Sequence, residues 1–228
     1  MIKVPCYIIS YNRPTFLKRT LDELIKNERL EIIIIDNGST SEPLLDYYNQ
    51  IKHGVEIRMY IENHGHTAPW KLDITKECKD TPYIVTDCDI LVDKCKDDYL
   101  EVLEQGLIDY PEYNKIGLGL NTNKIPSGYA NREKVINHEN RVLYKKEIGS
   151  PTFFECAVDT TFAIYRGGYH SYSVWGTELS YWGGVCKSLR TNPPYQATHL
   201  GWHIVEPTDE DKFYFESIKD QESGTWRV

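Results

Sequence analysis

The chain has 228 residues, a formal net charge of −8, and 40% hydrophobic and 26% charged side chains, the balance of a globular protein with a sizeable core. The acidic surplus excludes a basic face built for a nucleic-acid backbone, and no run of about eighteen apolar residues is present to span a membrane. The opening "MIKVPCYIIS" is too short and too broken by polar residues for a signal peptide, so a soluble cytoplasmic or otherwise intracellular protein is expected.

Val4 to Ser10 reads as a first strand, followed by a helix in "NRPTFLKRTLDELIKN", with Pro14 in its first turn and Leu17, Leu21, Leu24 and Ile25 on one face. "LEIIIIDNGST" holds four consecutive isoleucines, a β-branched run suited to a strand buried on both faces, and stops at Asp36 in a turn-forming cluster. Ser41 and Pro43 open a second helix to about Gln50, "VEIRMYI" alternates as a third strand, and "HTAPWKLDITKECK" lines up Trp70, Ile74 and Cys78 as a helix. "YIVT" is a fourth strand. This βα alternation implies a mostly parallel sheet flanked by helices.

A helix follows around Asp97 to Tyr110, then a strand "KIGLGL". Asn121 to Pro151 is polar and without period, so it reads as loop with a hairpin around "RVLYKKEI". "CAVDTTFAIYR" is strand-like, "YWGGVCKSLRTNPPYQATHLGWH" is turn-rich and aromatic, and Asp209 to Lys219 forms a terminal helix. The six cysteines show no C-x-x-C spacing, so free thiols are expected, and any metal is held by oxygen in preference to sulfur.

"TPYIVTDCDILVD" ends a buried strand in two carboxylates, Asp87 and Asp89, one residue apart, and unpaired ionised groups there lose hydration. Two acids in such a turn, beyond the carboxyl end of a parallel strand, can direct oxygens to one Mg²⁺ or Mn²⁺ whose shell is completed by substrate phosphates. Taken alone, the pair equally reads as a cap for the next turn.

Three stretches in order, "YIISYNRPTFLKRTLDELI", "IIIIDNGST" and "VTDCDILVD", resemble the opening, the second strand and the D-x-D motif of nucleotide-sugar glycosyltransferases of the GT-A fold, close to family two. The resemblance extends from about residue 3 to 105. It implies a Rossmann-like GT-A domain over 1–228, with a nucleotide-sugar half in 1–105 and an acceptor-binding extension in 106–228. It further implies that Asp36 accepts a hydrogen bond from a uracil-type base, that Asp87 lies near ribose and metal, and that Asp89 is the principal ligand of the cation on the diphosphate. Ser10, Tyr11, Asn12, Arg13 and Cys88 would line the nucleotide pocket, with Lys71 a base or phosphate contact or simply a solvated helix residue.

For the base that takes the acceptor proton, Asp159 in "CAVDTTFAIY" is favoured, placed in a strand among apolar neighbours, with Glu178 its competitor because the family's late E-D pair is not evident. His199, ahead of Trp202 and His203, is assigned to the metal or the diphosphate. Trp175, Tyr181, Trp182 and Trp202, with Tyr165 and Tyr172, supply aromatic faces for an acceptor sugar or fill a core; "WGG" at Trp182 to Gly184 is the acceptor-side choice.

The reading is thus a metal-dependent transferase using Mn²⁺ or Mg²⁺, a UDP-linked donor and a glycan or other hydroxyl acceptor, with inversion preferred. Rivals are a catalytically silent nucleotide- or sugar-binding module on the same fold and a phosphatase of the haloacid dehalogenase type. The phosphatase normally opens its fold with the aspartate pair, and a nucleotidyltransferase needs a glycine-rich phosphate cradle that "SYNRPTF" lacks.

Overall fold

The computed structural model describes residues 3–143, 147–148, 152–170 and 188–220. The first half follows the βα pattern: β1 (Val4–Ser10), α1 (Pro14–Leu24), β2 (Leu30–Asp36), α2 (Glu42–Ile51), β3 (Glu56–Met59), α3 (Ala68–Lys71), β4 (Tyr83–Asp87), β5 (Ile90–Leu91) and α4 (Tyr99–Asp109). The second half adds β6 (Lys115–Gly117), β7 (Gly119–Leu120), α5 (Arg132–Leu143), β8 (Glu147–Ile148), β9 (Phe153–Glu155), β10 (Ala163–Tyr165), β11 (Ser188–Thr191), β12 (Gln196–His199) and α6 (Asp209–Ser217). A nine-stranded sheet runs β3-β2-β1-β4-β10-β6-β11-β9-β8, and β5-β12-β7 form a second, small sheet. The large sheet is parallel from β3 to β4 and mixed beyond, because β10 runs antiparallel to both β4 and β6.

Strand alternation explains the four isoleucines. Ile34 packs on one face with Leu17, Leu21 and Leu24 of α1, while Ile33 and Ile35 pack on the other with Tyr7, Trp70, Tyr83 and Tyr165. Each buried isoleucine stabilises the fold by roughly 1.5–3 kcal/mol, which is why both faces of β2 are apolar. Tyr83 and Tyr165 stack at 5.2 Å within the second layer, so Tyr165 is a core residue and not a sugar platform. Trp202 is buried in the first layer with the same consequence.

Four elements differ from the sequence expectation. The helix over 66–79 is broken into a 3₁₀ turn (Gly65–Thr67), the single turn α3 and a second 3₁₀ turn (Ile74–Glu77), since Asp73 adopts a left-handed φ of 57°. Helix α5 forms where loop was expected. Its buried face is Val135 and, one turn on, Glu139, whose carboxylate pairs with buried Arg190 at 2.9 Å, so the usual apolar period is absent. "KIGLGL" divides between the two sheets at Leu118, and the expected strand from Cys156 survives only as β10, with residues 156–162 forming a loop. Cys6, Cys78, Cys88, Cys95 and Cys156 are free thiols, and among the described residues no helix is long and apolar enough to cross a membrane.

Candidate active site

Register places the first acids on one rim. Ser10 of β1 aligns with Asp36 of β2, and the neighbouring Ile9 aligns with Asp87 of β4, so both acids lie at the carboxyl edge of the two parallel strands that flank β1. Their side chains are used differently.

Asp36 is fully buried; one oxygen accepts from the Ser39 backbone N–H at 2.9 Å and the other from the Tyr48 hydroxyl at 2.7 Å. That hydroxyl also shares a 2.9 Å hydrogen bond with Ser10 Oγ, and burial together with Asp36 raises the Tyr48 phenol above its ordinary value. Asp36 and Ser10 therefore shape the turn, and the expected outward contact of the Asp36 carboxylate with a base is not what this geometry presents. Asn12, at φ 51°, accepts from the Thr40 and Ser41 N–H groups at 2.8 and 2.9 Å, clipping the first loop to the same turn. Asn37 donates to the Gly65 carbonyl at 2.9 Å, and exposed Lys71 donates to the neighbouring His64 carbonyl at 3.1 Å. The loops at 10–13, 36–41 and 63–65 are thereby woven into one surface.

In the D-x-D turn the middle residue points inward. Cys88 is buried, its N–H donates to Ile9 and its carbonyl accepts from Thr20 Oγ1 at 2.8 Å, while burial pushes the thiol above its ordinary value. The Cys88 side chain belongs to the core and not to a nucleotide pocket. Asp87 is half-buried and accepts from Thr160 Oγ1 at 2.8 Å. Burial, and after it the nearby Asp89 and Asp159 charges, hold its carboxyl well above the usual carboxylate range.

Asp89 Oδ2 pairs with Arg13 Nη1 at 2.9 Å and stands 3.6 Å from His199 Nδ1. The histidine is delivered by the small sheet, where His199 pairs with Ile90 and the Leu200 N–H donates to the Asp89 carbonyl. Its ring stacks on Trp202 at 4.7 Å. At Gly201 a Cβ would lie 3.2 Å from Asp89 Oδ2 and 3.0 Å from His199 Cε1, so glycine keeps this corner open. His203 is half-buried, and burial, followed by His199 and Arg19, pushes its imidazole below its ordinary value.

Arg13 is buried and sandwiched between Phe16, 3.9 Å from its ring centre, and Tyr214 of α6, 4.5 Å away, with Asp211 of α6 at 3.6 Å. Its Nη1 is used on Asp89, while its buried Nε and Nη2 make no hydrogen bond. Half-buried Tyr11 touches α6 through Tyr214 and, at 3.5 Å, the Ser217 carbonyl. The involvement of α6 has no sequence signature beyond the Thr208/Asp211 capping box at its start.

Asp159 stands exposed in the 156–162 loop, neither in a strand nor among apolar neighbours, and accepts from the Thr160 N–H at 2.8 Å. Thr160 thus joins Asp159 to Asp87, a link invisible in the sequence. Glu178, Tyr172, Trp175, Tyr181, Trp182 and Gly184 lie outside the described residues.

Among the described residues no three His, Cys, Asp or Glu side chains form a ready metal cluster. The donors nonetheless suit a hard cation that keeps few protein ligands: two carboxylates and His199 Nδ1, a buried atom with no hydrogen-bond partner.

Residues 6–166 match the family model for glycosyl transferase family 2. The chain belongs to glycosyltransferase family 2. That match includes Asp36, Asp87, Asp89 and Asp159 and ends before His199 and α6. No curated protein sequence matches the chain.

Similar solved structures include the mannosyltransferase PcManGT from Pyrobaculum calidifontis, in complex with GDP-Man and Mn²⁺, at TM-score 0.54 and 12% identity over 93% of this chain. GalNAc-T7 with UDP, GalNAc and Mn²⁺ aligns at TM-score 0.55 and 18% identity over 96%. CMP:2-keto-3-deoxy-manno-octonic acid synthetase with CTP aligns at 0.50 and 10% over 96% of this chain and 97% of its own. The family-two chain spans 59% of the mannosyltransferase and 48% of GalNAc-T7, and these likenesses establish the shared α/β fold.

Proposed function

We propose that the chain is a metal-dependent glycosyltransferase that moves a sugar from a UDP-linked donor to a glycan or related hydroxyl acceptor, with inversion at the anomeric carbon. The observation that carries this reading is the convergence of Asp87, Asp89, Asp159 and His199 at one rim of a family-two fold. Two similar structures, one in complex with GDP-Man and one with UDP, and both with Mn²⁺, support the donor class and the cation.

Asp89, Asp87 and His199 would hold Mn²⁺ or Mg²⁺, which supplies charge stabilisation to a departing diphosphate. The woven loops at 10–13, 36–41 and 63–65 offer backbone and side-chain edges for the nucleotide, with Lys71 beside them. Asp159 takes the proton of the acceptor hydroxyl as its oxygen bonds to the anomeric carbon, while the bond from that carbon to the phosphate oxygen breaks and the nucleoside diphosphate leaves with the electron pair. Residues 1–105 then serve the donor and 106–228 the acceptor.

Calorimetric titration of UDP with Mn²⁺ and with EDTA, repeated on Asp89→Asn, tests the reading. Asparagine is chosen because its side-chain oxygen can still accept from the buried Arg13 Nη1, which alanine would leave without an acceptor, while Asp211 at 3.6 Å stays beside the guanidinium. The expected result is binding that needs the cation and is lost in the variant, together with hydrolysis of a UDP-sugar by the wild type. Metal-independent binding would remove the cation role, and binding without any donor turnover would leave a silent nucleotide-binding module.

A further inference from the structure

Lysine is rarely buried in the middle of a sheet, yet Lys115 of β6, between β10 and β11, is 1% exposed. Its ammonium group donates to the carbonyl of Val158 and sits 5.3 Å from the centre of the Tyr165 ring. Val158 immediately precedes Asp159. Two residues along β6, and hence on the same face of the strand, Gly117 receives the Val158 side chain so closely that a Cβ would lie 2.2 Å from Cγ1.

The rest of the loop is fastened from both ends. Cys156 and Ser188 exchange two hydrogen bonds, at 3.3 Å from the Cys156 N–H and 2.7 Å from Ser188 Oγ. The Asp87 N–H donates to the Thr160 carbonyl and the Leu118 N–H to the Phe162 carbonyl, each at 3.0 Å. Phe162 sits at φ 41°, a strained conformation for a bulky residue that persists only when its surroundings over-determine it. Asp159 itself projects from this frame into solvent.

We propose that Lys115 is a positioning residue: by holding the Val158 carbonyl from inside the sheet it fixes where the Asp159 carboxylate stands relative to Asp87. This rests on the reading that Asp159 takes the acceptor proton. A buried ammonium on a backbone carbonyl, reinforced by a glycine that admits Val158, secures the loop just before the acid without occupying the acid's own oxygens. The exposed carboxylate, with Oδ1 on the Thr160 N–H, remains open to the acceptor while its location is set by the buried lysine.

The test is a double-mutant cycle with Lys115→Met and Asp159→Asn. Wild type is first screened for hydrolysis of a panel of UDP-, GDP- and CMP-sugars, and the best donor is used for all variants. Lys115→Met is expected to lower kcat by about 10- to 100-fold, the scale of a displaced catalytic group. Its affinity for the matching nucleoside diphosphate with Mn²⁺ should stay within about twofold, because the displaced group is not a nucleotide contact. Placed on Asp159→Asn, the same change should cost less than about threefold more, since a residue that acts through a carboxylate has nothing left to position.

Gly117→Ala, which pushes Val158 from the other contact, repeats the cycle and serves alone if the lysine variant does not fold. Additive losses, or kcat and nucleotide affinity falling together, would overturn the positioning role. Wild-type turnover of no donor would remove the transferase reading and this inference with it. Full activity in Asp159→Asn would instead remove only the assignment of the base and what depends on it.

Discussion

The two acids of the D-x-D turn, one residue apart, are treated in opposite ways. Asp89 is buried against a cation of the protein itself, Arg13, which α6 presses into place from the far end of the chain. Asp87 has only a neutral hydroxyl as partner, and burial first, then the nearby Asp89 and Asp159 charges, raise its proton affinity. The same contrast separates Asp36, closed in by Ser39 and Tyr48, from Asp159, open to solvent. Acids matched internally are fixed in place, Asp89 as a ligand already positioned by Arg13, and those left short of positive charge are where an incoming cation or acceptor gains most.

Removing the internal match should have the largest effect on folding. Arg13→Met strands Asp89 and Asp211 and is expected to cost about 3–5 kcal/mol in urea denaturation. A loss below about 1 kcal/mol would mean that Asp89 is not neutralised by Arg13. Next comes Tyr48→Phe, which leaves a buried Asp36 oxygen without its donor; about 1–3 kcal/mol is expected by the same measurement, with no change in the slope against denaturant. An unchanged midpoint would show that Asp36 finds another donor.

The smallest effect has the opposite sign. Because the folded Asp87 carboxyl is raised above its unfolded value, its favourable contribution is complete only below the unfolded value near 3.8 and is lost as pH rises through the folded value. At neutral pH in EDTA, Asp87→Asn should therefore raise the thermal midpoint by about 2–4 °C, while with Mn²⁺ present its donor turnover falls. The gain should vanish as pH approaches 4. A variant equally destabilised at both pH values would break the contrast between the two acids.

Much of the first half was legible because packing follows local period there. The isoleucine run of β2 and the leucine face of α1 report their burial directly. Legibility fails where a buried position is polar: Glu139 on the inner face of α5 erases the helical pattern, and Lys115 inside the sheet reads as an ordinary strand-end lysine. Fine orientation is also hidden. "DNGST" announces a turn after Asp36 but not that its carboxylate faces inward, and "SYNR" announces a loop but not that Arg13 meets an acid 76 residues away. The D-x-D pair was legible as a site and Asp159 as a candidate base, whereas the threonine that joins them was not.

The sandwich around Arg13 bears on where this chain can be cut. One of its aromatic rings, Phe16, lies inside the segment shared with the family, and the other, Tyr214, lies well after that segment ends at residue 166. A protein shortened to the shared segment would retain all four rim aspartates yet lose the ring, the second carboxylate and the helix that keep one arginine from leaving its acid. The family boundary is therefore a boundary of resemblance, and the cooperative unit that holds the D-x-D turn closes only some fifty residues later, at Ser217.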